Sequence, residues 1–388
     1  MIDETRRLVL VFGLGGFAGA LAGRALDPLM GELASEFHTP HAQVALLASA
    51  FTLPYALVQP VLGPMGDAFG KRRVIGLCLA ALALMLAACA LAPGLDSLFA
   101  ARIAAGLAAG GIFPLTLALF GDRVAMAQRQ LAISRFLACA ILGQLAGGAV
   151  SGLVSPWIGW RGVMGICALM AALSAAVVAL DARRTPGTAP PGRLPGLAEV
   201  LRRYGGILRN RAAQPLFIGV LLEGMLVFGP FPFFSELLGS DGHGTRNAGL
   251  AVAGFGLGGF GYTLLAPLLL RRLGQARMMR LAGACVLAGL ASLAAAASDP
   301  RIGIAGALLI GLGFFMLHNS IQTRVTEVAP GARGSAVALH AFCYFLGQAV
   351  GPALFGLGQA SAGTGPALLG SGLGVLAIAF WLSRRRAG

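Results

Sequence analysis

The chain has 388 residues and a mass of 39.4 kDa, with 57% hydrophobic residues, only 11% charged ones and a mean hydropathy of +0.80. A soluble domain is about 25% charged, so this composition excludes an ordinary soluble enzyme, a disordered chain and a small disulfide scaffold, and points to lipid as the solvent. The net charge of +14 does not indicate nucleic acid. Every basic residue except Lys71 is Arg, and they fall in short runs between apolar blocks: Arg6-Arg7, Lys71-Arg72-Arg73, Arg183-Arg184, Arg202-Arg203, Arg271-Arg272 and Arg384-Arg385-Arg386. Basic flanks of apolar spans are the positive-inside pattern.

A helix crossing the hydrocarbon core needs about 20 mostly apolar residues. Twelve blocks qualify in chain order: 8–28, 43–62, 74–92, 97–119, 131–153, 161–180, 214–235, 248–268, 280–298, 302–322, 336–357 and 365–383. The first, Arg6-Arg7 followed by Leu8 to Phe17 and a run of small residues, has the make-up of a cleavable signal. Removing it would leave an odd span count and break the repeat described below, so it is expected to stay as a span. Pro93-Gly94-Leu95-Asp96 and Asp299-Pro300-Arg301 are tight turns. With the N-terminus inside, about 24 basic residues collect on the cytoplasmic side. Arg161, Arg246 and Arg301 remain outside. Both termini are therefore expected to be cytoplasmic, in an inner membrane of bacterial type.

The connection over 181–213 begins as a Pro/Gly-rich linker. Leu197, Val200, Leu201, Tyr204, Ile207 and Leu208 then recur at helical spacing with Arg202, Arg203 and Arg209 between them. This predicts a short amphipathic helix on the inner leaflet, a plain solvated loop being the alternative. The expected organisation is a six-helix bundle over 1–180, the cytoplasmic linker over 181–213 and a second six-helix bundle over 214–388.

The halves repeat at a constant offset of 204 residues. Gly70 pairs with Gly274 and Arg129 with Arg333. Gly143-Gln144-x-x-Gly147-x-x-x-x-Gly152 recurs as Gly347-Gln348-x-x-Gly351-x-x-x-x-Gly356. Two such halves, related by an internal repeat, are the usual construction of membrane transporters, with substrate bound between the repeats and one half rocking against the other.

The loop between spans 2 and 3 reads Gly63-Pro64-Met65-Gly66-Asp67-Ala68-Phe69-Gly70-Lys71-Arg72-Arg73. It resembles the signature loop of the major facilitator superfamily, Gly-x-x-x-Asp-Arg-x-Gly-Arg-Arg/Lys, with Ala68 where that family often has Arg. The resemblance extends to the twelve spans, the 6+6 halves and the long central loop. It implies the all-α major facilitator fold, and a conformational latch on the cytoplasmic side built from Gly63, Asp67, Gly70, Lys71 and Arg72. In span 4, Arg102-Ile-Ala-Ala-Gly106 resembles the family's Arg-x-x-x-Gly motif, whose Arg is associated with proton coupling; snorkelling to the outer interface is the alternative. Span 5 resembles the antiporter motif, with Gly148 in place of Pro and Ser151 in place of Gly. Close helix packing alone would also account for its small residues.

Ionisable and polar residues within spans must face a cavity or a partner. Glu223 lies near the middle of span 7, where a buried carboxylate can carry a proton or recognise a cation. Asp27 lies near the outer end of span 1, one turn after Arg24, and the two could form an interfacial ion pair. Span 10 carries His318, Asn319 and Gln322. In span 11, His340, Tyr344 and Gln348 recur every four residues and share one helix face. These residues are expected to line a substrate and proton cavity, packing being the alternative.

The six cysteines fall within apolar blocks without CxxC spacing and read as buried hydrophobes. The Gly-rich run from Gly254 to Gly261 lacks the strand and turn of a dinucleotide site. No metal site, nucleophile triad, cofactor or nucleic-acid partner is expected. The expected function is secondary transport of a small molecule, not enzymatic, by a monomer that exchanges it for protons in the efflux direction. An uptake permease and a non-transporting sensor on the same fold are the alternatives.

Overall fold

The computed structural model describes residues 4–184, 205–295, 299–327 and 333–385. The described residues are helical almost throughout. In order they form α1 (Glu4–Arg24), a 3-10 turn (Asp27–Leu29), α2 (Met30–Glu36), α3 (His41–Phe69), α4 (Lys71–Ala90), α5 (Leu95–Ala109), α6 (Ile112–Arg123) and α7 (Met126–Arg184). The second half has α8 (Gln214–Phe228), a 3-10 turn (Phe231–Phe233), α9 (Phe234–Leu237), α10 (Gly244–Ala295), α11 (Pro300–Glu327), α12 (Arg333–Ala362) and α13 (Thr364–Ser383).

Ten helical stretches are long and apolar enough to cross a membrane. Two of them are double length and each breaks at a glycine: α7 at Gly159 (φ 64°, ψ 171°) and α10 at Gly274 (φ 68°, ψ 165°). Dividing them there gives the twelve spans. A left-handed φ is open to Gly and strained for L side chains, so each glycine ends one span and starts the next without a long loop. In the linker, 181–184 are the end of α7 and 205–208 form a helical turn, which holds Ile207 and Leu208; Leu197, Val200, Leu201 and Tyr204 lie outside the described residues.

The fold is all-α, with twelve spans in two pseudo-symmetric six-span bundles, and the 204-residue repeat is visible in local geometry. Gly70 (φ 90°) matches Gly274, and Gly159 matches Gly363 (φ 88°). The 3-10 turn at Asp27 matches the one at Phe231. By packing, the chain divides into Met1–Leu26 with Ala50–Leu197, and Asp27–Ser49 with Ala198–Gly388. The segment 27–49, in the first half by sequence order, thus packs with the second unit. There Gly31 N donates to Ser235 Oγ at 3.0 Å, a bond between residues 204 apart, and a His41 ring nitrogen lies 2.8 Å from the Pro232 carbonyl oxygen.

The spacing of small residues in spans 5 and 11 becomes a helix contact in each unit. A methyl group at Gly143 would meet the Phe17 carbonyl, and one at Gly147 the Leu21 carbonyl. In the other unit Gly347 lies against the Leu221 carbonyl and Gly351 against the Met225 carbonyl. Without a hydrophobic drive between helices in lipid, such close backbone approach is what holds spans together. The outward surface carries Leu91 at 80% and Trp157 at 81% exposure, with Leu84, Phe260, Leu264 and Leu357 also well exposed. Large apolar side chains exposed in such number suit a surface in contact with lipid.

Candidate functional site

In the second unit, α8, α11 and α12 bring Glu223, His318, His340, Tyr344 and Gln348 together. α8 and α12 approach closely because Gly224 lies against the Tyr344 carbonyl and Gly347 against the Leu221 carbonyl. This crossing places Glu223 inside the unit with 0% exposure. Its Oε2 is 2.8 Å from Nδ1 of His318, a partner 95 residues away. Its Oε1 is buried without a hydrogen-bond partner among the described residues.

Aromatic rings surround the pair. The His318 ring centroid is 5.1 Å from Phe314, 4.7 Å from Tyr344 and 4.9 Å from His340. Phe228 packs edge-on against Tyr344, Phe314 and Phe255. These surroundings are largely apolar, and a lone charge in them is costly unless paired. One proton shared between Glu223 and His318 leaves the pair neutral, whether as acid and imidazole or as carboxylate and imidazolium. The arrangement therefore suits holding and surrendering a single proton. The stripe on α12 does turn inward: His340, Tyr344 and Gln348 are all buried. Asn319 does not join it. Adjacent helical positions point about 100° apart.

The sequence profile described as Major Facilitator Superfamily matches residues 12–352. The chain belongs to the major facilitator superfamily. It is 27% identical over 224 residues to the uncharacterized MFS-type transporter YybF of Bacillus subtilis (strain 168), a match covering 56% of this chain and 54% of that one. It is 25% identical over 353 residues to the uncharacterized MFS-type transporter YwfA of the same strain, covering 90% and 84%. Multidrug resistance protein fnx1 of Schizosaccharomyces pombe is 27% identical over 173 residues, covering 45% and 32%. The chain thus spans about half the length of YybF and about a third of fnx1. Among solved structures, the nucleoside transporter NupG superposes with a TM-score of 0.74 at 16% identity, covering 98% of this chain and 99% of that one. The human organic anion transporter MFSD10 does so at 0.70 and 18%, covering 98% and 100%. These likenesses establish the major facilitator fold.

The superfamily's signature loop is a helix end here. Gly63 and Asp67 belong to the last turns of α3, and the Asp67 side chain lies outside the described residues. Gly70 takes the left-handed turn into α4 with nothing within 4 Å of an added side chain, so its conformation alone accounts for the glycine. Lys71 Nζ is 2.8 Å from Asp122. Arg72 Nη1 is 3.1 Å from Asp181, whose other oxygen is 2.9 Å from Arg7 Nε. Asp122 and Asp181 were not singled out from the sequence, because they lie on loops and helix ends where a carboxylate is unremarkable.

Asp181 is buried against two guanidinium groups, whereas Asp122 is mostly exposed. Removing one partner of a buried charged cluster strands the others. Asp181→Asn is therefore expected to lower stability by about 1–3 kcal/mol, less than for a fully buried pair because Arg7 keeps some solvent. Asp122→Asn is expected to change it by about 0–1 kcal/mol. Thermal denaturation in detergent compares the two, and an equal response would contradict the assignment.

Arg102 in α5 does not snorkel. It is fully buried at 0% exposure, donates from Nη1 to the Ala22 carbonyl at 3.0 Å, and stacks its guanidinium 4.3 Å over the Phe51 ring. Both contacts lie within the first unit, and the ring face attracts the cation. Gly106, one turn on, lies against the Phe51 carbonyl, so the Arg-x-x-x-Gly spacing seats α5 on α3 while the Arg side chain reaches α1. Arg24 closes α1, half-buried, and Asp27 is buried in the following 3-10 turn.

Proposed function

We propose that this chain is a proton-coupled exporter of small organic molecules, in which Glu223 and His318 together carry the proton. The observation that supports this most is the fully buried Glu223 carboxylate, 2.8 Å from a single imidazole inside an aromatic shell. A purely structural role is met as well by an amide; a group that must exchange a proton requires a carboxylate. Alternating access exposes such a site to each side of the membrane in turn, so proton uptake on one side and release on the other can be tied to movement of the solute. The export direction is supported by the likeness to fnx1 and by the small-residue motif of span 5. Gly63, Asp67, Gly70, Lys71 and Arg72 serve as the cytoplasmic latch.

The testing experiment is proton flux in proteoliposomes containing an internal pH dye, challenged with a panel of lipophilic cations, neutral drugs and nucleosides. At least one compound is expected to drive protons across the membrane, in the direction opposite to its own movement. A compound transported with no accompanying proton would refute coupling. Co-movement would refute export by exchange.

Both ends are expected in the cytoplasm of an inner membrane, a reading supported by the basic runs that flank the spans. Single cysteines at Gly187→Cys, in the central linker, and Ser240→Cys, between spans 7 and 8, are expected to react with an impermeant maleimide from opposite sides, cytoplasmic and outer respectively. Labelling from the same side would overturn the span count.

A further inference from the structure

We infer that His340 is a third proton station, so that Glu223, His318 and His340 form a relay in which His318 is the moving member. This rests on the reading of Glu223 and His318 as the proton carrier. His318 stands between the other two, with Nδ1 2.8 Å from Glu223 Oε2 and its ring centroid 4.9 Å from that of His340, tilted by 58°. The three differ in access. Glu223 is at 0% and His340 at 2% exposure, while the His318 side chain retains 17%. His318 is thus the member that can meet water.

Both outer members carry a buried polar atom without a hydrogen-bond partner among the described residues: Oε1 of Glu223 and Nε2 of His340. Buried polar atoms are ordinarily satisfied, and an unsatisfied acceptor on each of the two residues beside His318 is suited to receive a proton in turn. The ionisable groups around His340 are Glu223, reached from α8 through His318, His318 itself from α11, and Tyr344 on its own helix, whose ring is 4.7 Å from His318.

The charge balance allows the transfer. With one proton in the trio, the net charge is zero whether the proton rests on Glu223, on His318 or on His340 with Glu223 ionised. Nε2 of His340 has no hydrogen-bond partner among the described residues, so the His318 ring first turns to bring an N–H to it; in the step itself that N–H bond of the His318 imidazolium breaks and its electron pair stays on the ring. The proton bonds to the lone pair of His340 Nε2. No charge enters or leaves the buried site. Two adjacent imidazolium rings would repel, so the histidines share one proton and do not hold two. The consequence is that Glu223 can be left ionised while the proton is still inside the protein.

The test is nitrogen NMR of the full-length chain, labelled with 15N-histidine, in lipid nanodiscs from about pH 5.5 to 8.5, the interval in which imidazoles titrate. Its five histidines are assigned through single His→Gln variants. In the wild-type protein His318 and His340 are expected to change protonation over the same interval, each by part of a proton. In His340→Gln the whole change falls on His318, an amplitude increase of about twofold if the proton was evenly shared. His340→Phe, which keeps a ring in place, is expected to do the same, with unchanged His41 and His243 signals reporting an intact fold. A His318 curve identical in wild type and in both variants would overturn the relay. So would a His340 that keeps one protonation state throughout. Glu223→Gln separates this from the parent reading. If it leaves the His318 curve unmoved, the Glu223–His318 carrier itself fails. If it moves that curve while the His340 variants do not, only the third station fails.

Discussion

Glu223→Gln is expected to abolish the dependence of transport on the pH gradient while leaving the protein folded and inserted. Gln keeps the size of the side chain and can still hydrogen-bond Nδ1 of His318, so the 2.8 Å contact has a substitute. What it loses is the ability to exchange a proton. For one proton exchanged per molecule, each unit of pH gradient is worth about 1.4 kcal/mol, or tenfold in the steady-state concentration ratio. In everted vesicles loaded by wild-type protein with ethidium or another panel compound at fixed membrane potential, that tenfold slope is expected. In the Gln variant the slope should be flat. If Glu223 is only a buried hydrogen-bonding group, Gln will work as well as Glu at every gradient, and the two slopes will coincide.

The second large effect is on stability. Gly347→Ala places a methyl group against the Leu221 carbonyl, and Gly143→Ala places one against the Phe17 carbonyl. In both cases the obstacle is backbone on the partner helix and cannot move aside as a flexible side chain would. Overpacking of this kind costs about 1–3 kcal/mol, occasionally more. Gly165 and Gly261 have nothing within 4 Å of an added methyl group. There Ala should be neutral or stabilise by up to about 1 kcal/mol, the helix-propensity difference. Thermal denaturation in detergent should therefore separate Gly347→Ala and Gly143→Ala from Gly165→Ala and Gly261→Ala. A uniform response of all four would mean that the glycine contacts do not hold the bundles together.

The fold was legible in the sequence because lipid imposes a local rule: a span must be apolar and about 20 residues long. The repeat was legible because the contacts that matter, Gly347 on Leu221 and Gly143 on Phe17, leave glycines at fixed spacing. The site was only half legible. A carboxylate within a span marks itself, and His340, Tyr344 and Gln348 announce a shared face by recurring every four residues. Nothing in the sequence joined Glu223 to His318, because the 95 residues between them are closed by helix packing. Nor did sequence adjacency join Lys71 to Asp122 on α6, or Arg72 to Asp181 at the end of α7. The turn at Gly70 starts a new helix, and what its first residues meet is set by the bundle. Asn319, next to His318 in the chain, was grouped with it, yet consecutive helical residues do not share a face.

The central claim is that Glu223 and His318 act as one proton-carrying unit. A double-mutant cycle on the pH-gradient slope of transport tests it most directly, with Glu223→Gln, His318→Gln and the double variant measured together. Groups that act as a unit are strongly non-additive, since losing either already removes the function. Each single variant is expected to flatten the slope, and the double variant to be no worse than either. Partial losses that multiply in the double variant would mean that the two residues contribute independently and do not share a proton.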